Sequence, residues 1–336
     1  MPEWHILDAD DPRCEAVSRL PGATLFHSPR WCRVIARGFG GPVHVAALAN
    51  ERGEILAAWP ACRLAVGPVR MLYGVFPKGN FVGTAEAVAE HLDGFGAACR
   101  RAGVHLVRMI ACEDDPVTDL PAARRARHVR HVLDIAGKTP EAIWQGYRKK
   151  IRRDVRFAER HGLSVRPMRR EEFPAFHAMM SQVFVRNAAA TGLGPEFYEA
   201  VWDELASDGT AEFLVAEADG RPQAAIVGIH DRATTYYFAG CSRTEALRLG
   251  PNDLTVHALI ASAARRGAER FDMLSSDASD AGLIRFKAKW GAEERPFDLL
   301  EWWFSPWRRL TWDAGMALAR HRAGAAAIRW LRGRST

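Results

Sequence analysis

The order of helical and strand patterns in the second half of the chain constrains the fold more than any other feature. Two helical patterns, Glu171–Ala188 and Pro195–Ser207, precede three strand patterns, and a helix and a strand follow at Asn252–Arg266 and Arg270–Leu274. The three strand patterns are Ala211–Ala218, Gln223–His230 and Ala233–Ala239. This order predicts a mixed α/β sheet. Because the sequence contains neither a Gly-x-Gly-x-x-Gly nor a Walker motif, it does not predict a doubly wound nucleotide-binding fold.

The first half has a similar set of patterns. A helix is predicted after Ser28, which is suited to cap it, with Pro29 at the first helical position. An amphipathic helix is predicted at Ala85–Ala102. Strands are predicted at Val43–Ala49, Ile55–Leu64, Arg70–Val75, Val104–Ile110 and His128–Leu133. The first half is therefore also predicted to be a mixed α/β unit.

Length, hydrophobicity and cysteine pattern limit the class of protein. The 336 residues, of which 48% are hydrophobic, suffice for one or two cores. No apolar run reaches the roughly 18 residues of a transmembrane helix, and the N-terminus does not resemble a signal peptide. The six cysteines include no CxxC pair, and no HExxH motif is present. We therefore expect reduced thiols, no bound metal and a cytoplasmic location.

The formal net charge of +6 is concentrated in two segments. From Arg308 onward the chain has seven arginines and one acid, Asp313, and residues 148–160 contain seven cations and two acids. Localised positive charge favours a polyanionic partner, although such a helix face can also be simply solvated. The C-terminal segment leaves three interpretations open: binding of tRNA, contact with an anionic membrane, or improved solubility. It also carries Trp307, Trp312 and Trp330.

The segment from Phe271 to Gly291 carries the strongest signal for a functional site. A short apolar strand ends there in a run of serines and aspartates, and polar side chains at the carboxyl end of a strand commonly mark a ligand site. Lys287 then stands between apolar neighbours, which suits neutralisation of negative charge. A surface lysine on an edge strand is the alternative. If this part of the chain is extended, Lys289 points to the opposite face.

Four segments together resemble the Fem-type (FemAB-like) peptidyltransferases and the related GNAT-like acyltransferases. They occur in the order typical of that family and span nearly the whole chain. They are Phe26–Trp31, the basic helix Tyr147–Gly162, Gly250–Leu254 and Phe271–Gly291. The resemblance implies an α/β (mixed α+β) fold of two GNAT-like domains with mixed sheets. The N-terminal domain would span residues 1–137, completed by a C-terminal helix within 305–336 that packs back on it, and the C-terminal domain would span 138–304.

The same resemblance implies an enzyme that forms an amide bond. Well-known members of the family move an aminoacyl group from aminoacyl-tRNA to an amine acceptor, so tRNA would be a co-substrate and no resident cofactor is implied. Other members of the wider group use a different acyl donor, and acyl-CoA or an acyl carrier is therefore the alternative. A further alternative is a non-catalytic module that binds RNA or a membrane surface through the basic segments. The resemblance leaves the acceptor open.

The resemblance also assigns roles to individual residues. The Phe-Lys motif of the family falls on Phe286-Lys287, where the lysine is expected to stabilise the oxyanion of a tetrahedral intermediate. Arg33 and Arg186 match positions that hold substrate phosphate, and they would hold an acidic part of the acceptor here.

Other candidate residues come from their own chemistry. Tyr236 and Tyr237 face opposite sides of a strand, and Tyr237 is the candidate for an acceptor pocket, with core packing as the alternative. Asn252 begins a helix whose N-terminus can hold an anion, although Pro251 removes one amide donor and so disfavours acetyl-CoA. Asp277, with Asp280, would orient an amine or accept its proton, unless these residues simply cap a helix. The candidates for contact with tRNA phosphates are Lys149, Lys150, Arg153 and Arg156.

Overall fold

The chain forms two compact units. The computed structural model describes residues 1–320, apart from 114, 116, 118–119, 121, 123, 187–192 and 277–279, with side chains up to residue 317. Unit 1 comprises residues 1–23, 41–126 and 298 onward, and unit 2 comprises residues 24–40 and 127–297. The C-terminal helix belongs with unit 1. Residues 24–40, which the sequence placed in the first domain, pack with unit 2 instead.

Both units contain strands and helices. The strands are β1 (Glu3–Asp8), β2 (Val43–Ala49), β3 (Ile55–Val66), β4 (Val69–Gly74), β5 (Val82–Gly83), β6 (Leu106–Cys112), β7 (Arg124–Asp134), β8 (Ser164–Pro167), β9 (Ala211–Ala218), β10 (Arg221–Asp231), β11 (Thr234–Ser242), β12 (Arg270–Ser275) and β13 (Glu293–Trp303). The helices are α1 (Pro29–Phe39), α2 (Ala85–Arg101), α3 (Pro140–Gly146), α4 (Lys149–Arg160), α5 (Phe173–Arg186), α6 (Pro195–Leu205), α7 (Pro251–Arg265), α8 (Ala281–Lys289) and α9 (Pro306–Arg320).

Unit 1 is a mixed sheet whose core is covered by α2. Strands β1 to β4 pair in sequence and antiparallel, and β6 then pairs parallel to β4 and lies beside β13. Thr84 caps α2 by accepting a hydrogen bond from the Ala87 backbone N–H (3.2 Å). Between the sheet and this helix lie the fully buried rings of Trp59, Phe81 and Phe95.

Unit 2 is a mixed sheet with helices on both faces. Its strands lie in the order β7-β12-β11-β10-β9-β8, and only β11 and β12 pair in parallel among those whose register is described. Alternate residues of β9 face opposite sides. Phe213 packs against the rings of Phe173 and Trp202 on the side of α5 and α6. Leu214, one residue later, belongs to the core that α4 and α7 cover. The mixed α/β class predicted from the sequence is confirmed.

The basic helix that the sequence places at Tyr147–Gly162 begins two residues later, at Lys149, and its apolar residues at helical spacing are buried. Residue Tyr147 is extended, with φ of −65° and ψ of 144°, so α3 ends before it and α4 begins at Lys149. The buried side chains of Ile151, Val155 and Ala158 pack in the core of unit 2. This packing turns the charged side chains of α4 outward.

In the described part of the chain, no helix combines the length and the apolar character that crossing a bilayer requires.

Candidate functional site

Lys287 is buried near the end of α8. This segment is helical rather than extended, because Asp280 caps its first turn by accepting a hydrogen bond from the Leu283 backbone N–H (2.9 Å). Lys287 is only 2% exposed, and its Nζ donates to the carbonyl oxygens of Leu274 (3.0 Å) and Ser275 (2.8 Å) at the end of β12. The interpretation as a surface lysine on an edge strand is therefore wrong.

Lys289 lies on the same helix in a different environment. Its side chain is 30% exposed and forms an ion pair with Asp253 of α7. Its Nζ also lies 4.6 Å from the ring centroid of Phe286 and 5.6 Å from that of Trp290. The prediction that Lys289 points to the opposite face required an extended segment and does not apply, because the segment is a helix. The two lysines differ instead by burial and pairing.

The backbone that receives Lys287 is irregular. Two residues of β12 lie opposite the single residue His131 of β7, which is a β-bulge. The residue pairs on either side of the bulge are Asp272 with Val132 and Ser275 with Arg130. Within the bulge Leu274 has a φ of 58°, a left-handed conformation that costs a residue with a side chain about 1 kcal/mol or more. Such strain is commonly retained at functional sites.

A buried carboxylate holds this bulge. Asp272 is 2% exposed, and its Oδ1 accepts a hydrogen bond from the Leu274 backbone N–H (2.8 Å). Its Oδ2 accepts one from Nη1 of Arg130 (3.0 Å), whose side chain is 13% exposed. The charge of Asp272 is therefore compensated, and its hydrogen bond to Leu274 helps to keep the two carbonyl groups directed at Lys287.

The environment of Lys287 makes its ammonium group unusually acidic. Burial lowers the pKa of Lys287 from 10.5 to about 8, although the nearby Asp272 and Asp280 act in the opposite direction. The side chain is therefore still protonated at neutral pH. A cation kept out of water interacts strongly with a negative charge that forms beside it, because the local dielectric constant is low.

His131 is a second buried polar group at this place, and the sequence analysis missed it. Its side chain is 1% exposed, and neither ring nitrogen has a hydrogen-bond partner among the described residues. Oε1 of Glu294 lies 3.9 Å from Nε2. Burial, followed by the charge of Lys287, lowers the pKa of His131, so the imidazole is neutral at pH 7 and can accept a proton.

The parallel strands β11 and β12 separate toward their carboxyl ends, where Lys287 contacts β12. The register joins Thr234–Tyr236 of β11 to Arg270–Asp272 of β12, and no later pair joins these strands in the described part of the chain. Each strand continues beyond that point, β11 to Ser242 and β12 to Ser275. The carboxyl ends of parallel strands are a common place for ligands, and both the Lys287 contacts and the end of β11 lie there.

Two of the predicted substrate-binding residues meet at the end of β11. Nη1 of Arg186 donates to Oγ1 of Thr244 (2.9 Å) and to the carbonyl oxygen of Ser242 (3.4 Å). Nδ2 of Asn252, at the start of α7, donates to Oγ of the same serine (3.1 Å). Ser242 therefore joins a cation and a helix N-terminus into one cluster, which suits an anionic group of a substrate.

Tyr237 lies on β11, between the last residue paired with β12, Tyr236, and the end of the strand at Ser242. Its neighbour Tyr236 packs against Phe26, with ring centroids 4.9 Å apart, so the two tyrosines face opposite sides as expected. Tyr237 is half-buried against the core that α7 covers, and burial raises the pKa of its hydroxyl group. A Cβ atom at Gly240 would lie 2.2 Å from that hydroxyl oxygen, so a larger residue there would displace the Tyr237 ring.

Arg33 lies in a row of ion pairs between α1 and α6. Its Nη2 donates to Oε2 of Glu204 (2.8 Å), and its Nε also contacts that carboxylate (3.0 Å). Arg30 and Arg37 bind further acids of unit 2 in the same way. Residues 24–40 also pack into unit 2 through the buried ring of Trp31, which lies against Phe197 and Phe238. A substrate phosphate at Arg33 would have to compete with Glu204, so the predicted role of this arginine remains a prediction.

The cations of α4 remain in solvent. The four candidates for tRNA contact are all exposed, namely Lys149, Lys150, Arg153 and Arg156. Arg156 lies over the ring of Trp144, with its guanidinium carbon 5.4 Å from the ring centroid, and Arg153 pairs with Asp154 (3.2 Å). The remaining candidate, Asp277, lies outside the described residues, whereas its neighbour Asp280 has the capping role already noted.

Two cavities lie away from the Lys287 cluster. One in unit 2, of about 600 Å³, is lined by α7 and β8 and includes Glu212, His257 and Arg265. One in unit 1, of about 380 Å³, lies between Arg108, Glu301 and α9. None of the predicted site residues lines either cavity.

Comparison with known families and structures identifies this architecture. Residues 145–288 match the family model of the acetyltransferase (GNAT) domain, and they contain Lys287 and the residues of β12 that it contacts. No curated protein has a significantly similar sequence.

Several solved structures share the fold. The FemX crystal structure has a TM-score of 0.66 and 16% identity, covering 88% of this chain and 96% of FemX. L-PGS of Bacillus licheniformis has a TM-score of 0.56 and 15% identity, covering 88% and 92% of the two chains. A tandem GNAT protein from the clavulanic acid biosynthesis pathway, solved without AcCoA, has a TM-score of 0.52 and 11% identity over 90% and 98%.

Proposed function

Because residues 145–288 form a GNAT acetyltransferase domain and the chain is an acyltransferase, we propose that it moves an aminoacyl group from aminoacyl-tRNA to an amine. The observation that carries this proposal is the buried Lys287, whose ammonium group lies at the carboxyl end of β12. The product would be an amide, and the co-product would be the free 3′-hydroxyl of the tRNA. The fold shared with FemX and L-PGS is consistent with this proposal.

Lys287 would stabilise the charge that develops during acyl transfer. The amine nitrogen attacks the ester carbonyl, a C–N bond forms, and the carbonyl oxygen becomes negative. An ammonium group has three N–H donors, and Leu274 and Ser275 accept two of them. The third can donate to the oxyanion. By analogy with a single oxyanion-hole donor, this interaction lowers the barrier by about 3 kcal/mol.

His131 would carry the proton of the reaction. The attacking nitrogen gains a positive charge and must lose a proton before the C–O bond to the ribose breaks. The neutral imidazole of His131 accepts that proton and then gives it to the departing 3′-oxygen. No enzyme nucleophile is needed, because the amine attacks the ester directly.

The other candidate residues would bind the two substrates. Arg186 and Asn252 would hold an acidic group of the acceptor, because both bond to Ser242 beside the end of β11. The exposed cations of α4 would attract the tRNA backbone, and such binding weakens steeply with salt.

The activity can be tested with purified protein. Transfer RNA charged with a radiolabelled amino acid would be incubated with a set of primary amines, and an amide that carries the label would be detected by mass spectrometry. Amide formation that depends on intact charged tRNA supports the proposal. Failure to form an amide with every charged tRNA and amine would contradict it.

A thioester donor is the second candidate, because the matching family model describes acetyltransferases. The same amines would then be tested with acyl-CoA. Ribonuclease treatment separates the two donors, since it abolishes transfer from aminoacyl-tRNA and leaves transfer from a thioester unchanged.

A further inference from the structure

Helix α9 has one face that packs on unit 1. Trp312 lies against Trp303, with ring centroids 6.0 Å apart, and the guanidinium carbon of Arg108 lies 5.1 Å from the centroid of Trp312. Trp312 also joins the small core that contains Val69 and Leu106. These contacts fix the rotation of the helix about its own axis, and they therefore determine which side chains point away from unit 1.

The opposite face of α9 is apolar and exposed. Trp307 is 79% exposed and Leu310 is 61% exposed, which is unusual for side chains of this size. Ala314 follows at helical spacing and is exposed as well. The three residues form one continuous apolar stripe without a charge, which we call the outer face of α9.

The segment that carries this stripe is basic. From Arg308 onward it has seven arginines and one acid, Asp313. Nη1 of Arg308 donates to the carbonyl oxygen of Pro68, and Arg309 lies 46% exposed beside Asp313, at 3.8 Å. An apolar stripe that carries tryptophan and leucine, within a basic segment, has the composition of a helix that lies in the interface of an anionic bilayer.

We propose that the outer face of α9 binds the surface of a membrane that contains anionic lipids. Trp307 and Leu310 insert at the level of the headgroups, and Arg309 contacts lipid phosphates. RNA is a poorer partner for this face, because only Trp307 can stack on a base, whereas Leu310 and Ala314 offer neither a ring nor a charge. The inference is independent of the acyl donor and of the role of Lys287.

The full chain should sediment with vesicles of phosphatidylcholine and phosphatidylglycerol and bind pure phosphatidylcholine far more weakly. A Trp307→Ser/Leu310→Ser variant should bind the anionic vesicles at least about tenfold more weakly, because two inserted side chains are lost. The matched control is Val185→Ser, which removes an equally exposed apolar side chain (83% exposed) from unit 2 and should bind as the wild type does.

The charge contribution is tested separately. Arg309→Ser should weaken binding about fivefold, since one cation near an anionic surface contributes about 1 kcal/mol. Equal binding by the wild type and the Trp307→Ser/Leu310→Ser variant would overturn the proposal and assign vesicle binding to the basic residues alone. Loss of tRNA binding in that variant, without any vesicle binding by the wild type, would overturn it in favour of RNA.

Discussion

Helices α4 and α8 of unit 2 both carry cations, but they hold them in opposite environments. Lys287 of α8 is 2% exposed and donates to two backbone carbonyl groups, whereas Lys149, Lys150 and Arg153 of α4 are exposed. Burying a charge costs free energy, so a protein that keeps one needs it for a specific contact. Exposed charges cost little and act together at longer range. We therefore expect Lys287 to affect the chemical step and α4 to affect encounter with the substrate.

The largest expected effect comes from removing the buried charge. Lys287→Met should lower kcat about 10²–10³-fold and leave KM for the charged tRNA nearly unchanged, because the oxyanion exists only in the transition state. Initial-rate kinetics measure both constants. The matched control is Lys289→Met, which removes the half-exposed lysine two residues later and should retain most of the activity. An equal loss of kcat in the two variants would contradict a specific role for the buried Lys287 in the chemical step.

Replacing His131 should have the next largest effect. His131→Phe should lower kcat about 10²-fold by removing the proton acceptor, and the fold should persist because the imidazole has no hydrogen bond to lose among the described residues. Circular dichroism checks the fold. In the wild type, activity should fall at low pH, as His131 gains a proton below pH 6.5, and at high pH, as Lys287 loses its proton near pH 8. The variant should lack the acidic decline only; a variant that keeps both declines would exclude His131 as the base.

The buried charge should also be visible in folding stability. The pKa of Lys287 is about 8 in the folded protein and 10.5 without burial, so between these pH values the unfolded chain binds the additional proton. The free energy of unfolding therefore rises with pH in this window, by about 3 kcal/mol in total. Urea unfolding at several pH values measures it. Lys287→Met lacks the titrating group, so the free energy of unfolding of the wild type should increase with pH relative to that of the variant. Parallel plots of this free energy against pH would show that the ammonium is not desolvated.

Replacing single cations of α4 should have the smallest effects. Lys149→Gln and Lys150→Gln should each weaken tRNA binding a few-fold, reduce the slope of log affinity against log salt by about 1, and leave kcat unchanged. Binding titrations at several salt concentrations measure the slope. If the slope stays the same in the double variant, the cations of α4 do not contact phosphates.

Some of this architecture was predictable because its signals are local. Helix α1 follows Ser28 and Pro29, and the buried stripe of α4 appears in the spacing of Ile151, Val155 and Ala158. Helix α8 was predicted only as an alternative, through a cap at Asp280, since an isolated lysine among apolar neighbours also fits a strand. Local patterns favoured the correct element types wherever caps and periodicity agreed.

The site was less predictable because its geometry depends on distant residues. Lys287 was identified from a motif, but its burial depends on the left-handed backbone of Leu274 and on the bulge opposite His131. Nothing in the sequence around His131 marks that histidine, which lies in an ordinary strand pattern. The ion pair of Arg33 could not be predicted either, because its partner Glu204 is 171 residues away and no local pattern reveals it.

Binding of a tetrahedral-intermediate analogue tests the central claim most directly. A phosphonate that joins an adenosine 3′-oxygen to an amine-like group reproduces the negative oxygens of the intermediate, and the corresponding uncharged ester lacks them. We predict that Lys287→Met weakens phosphonate binding by the same factor as kcat/KM and leaves ester binding unchanged, while Lys289→Met affects neither. Equal phosphonate affinity in the wild type and Lys287→Met would contradict the proposal that this buried ammonium meets the oxyanion.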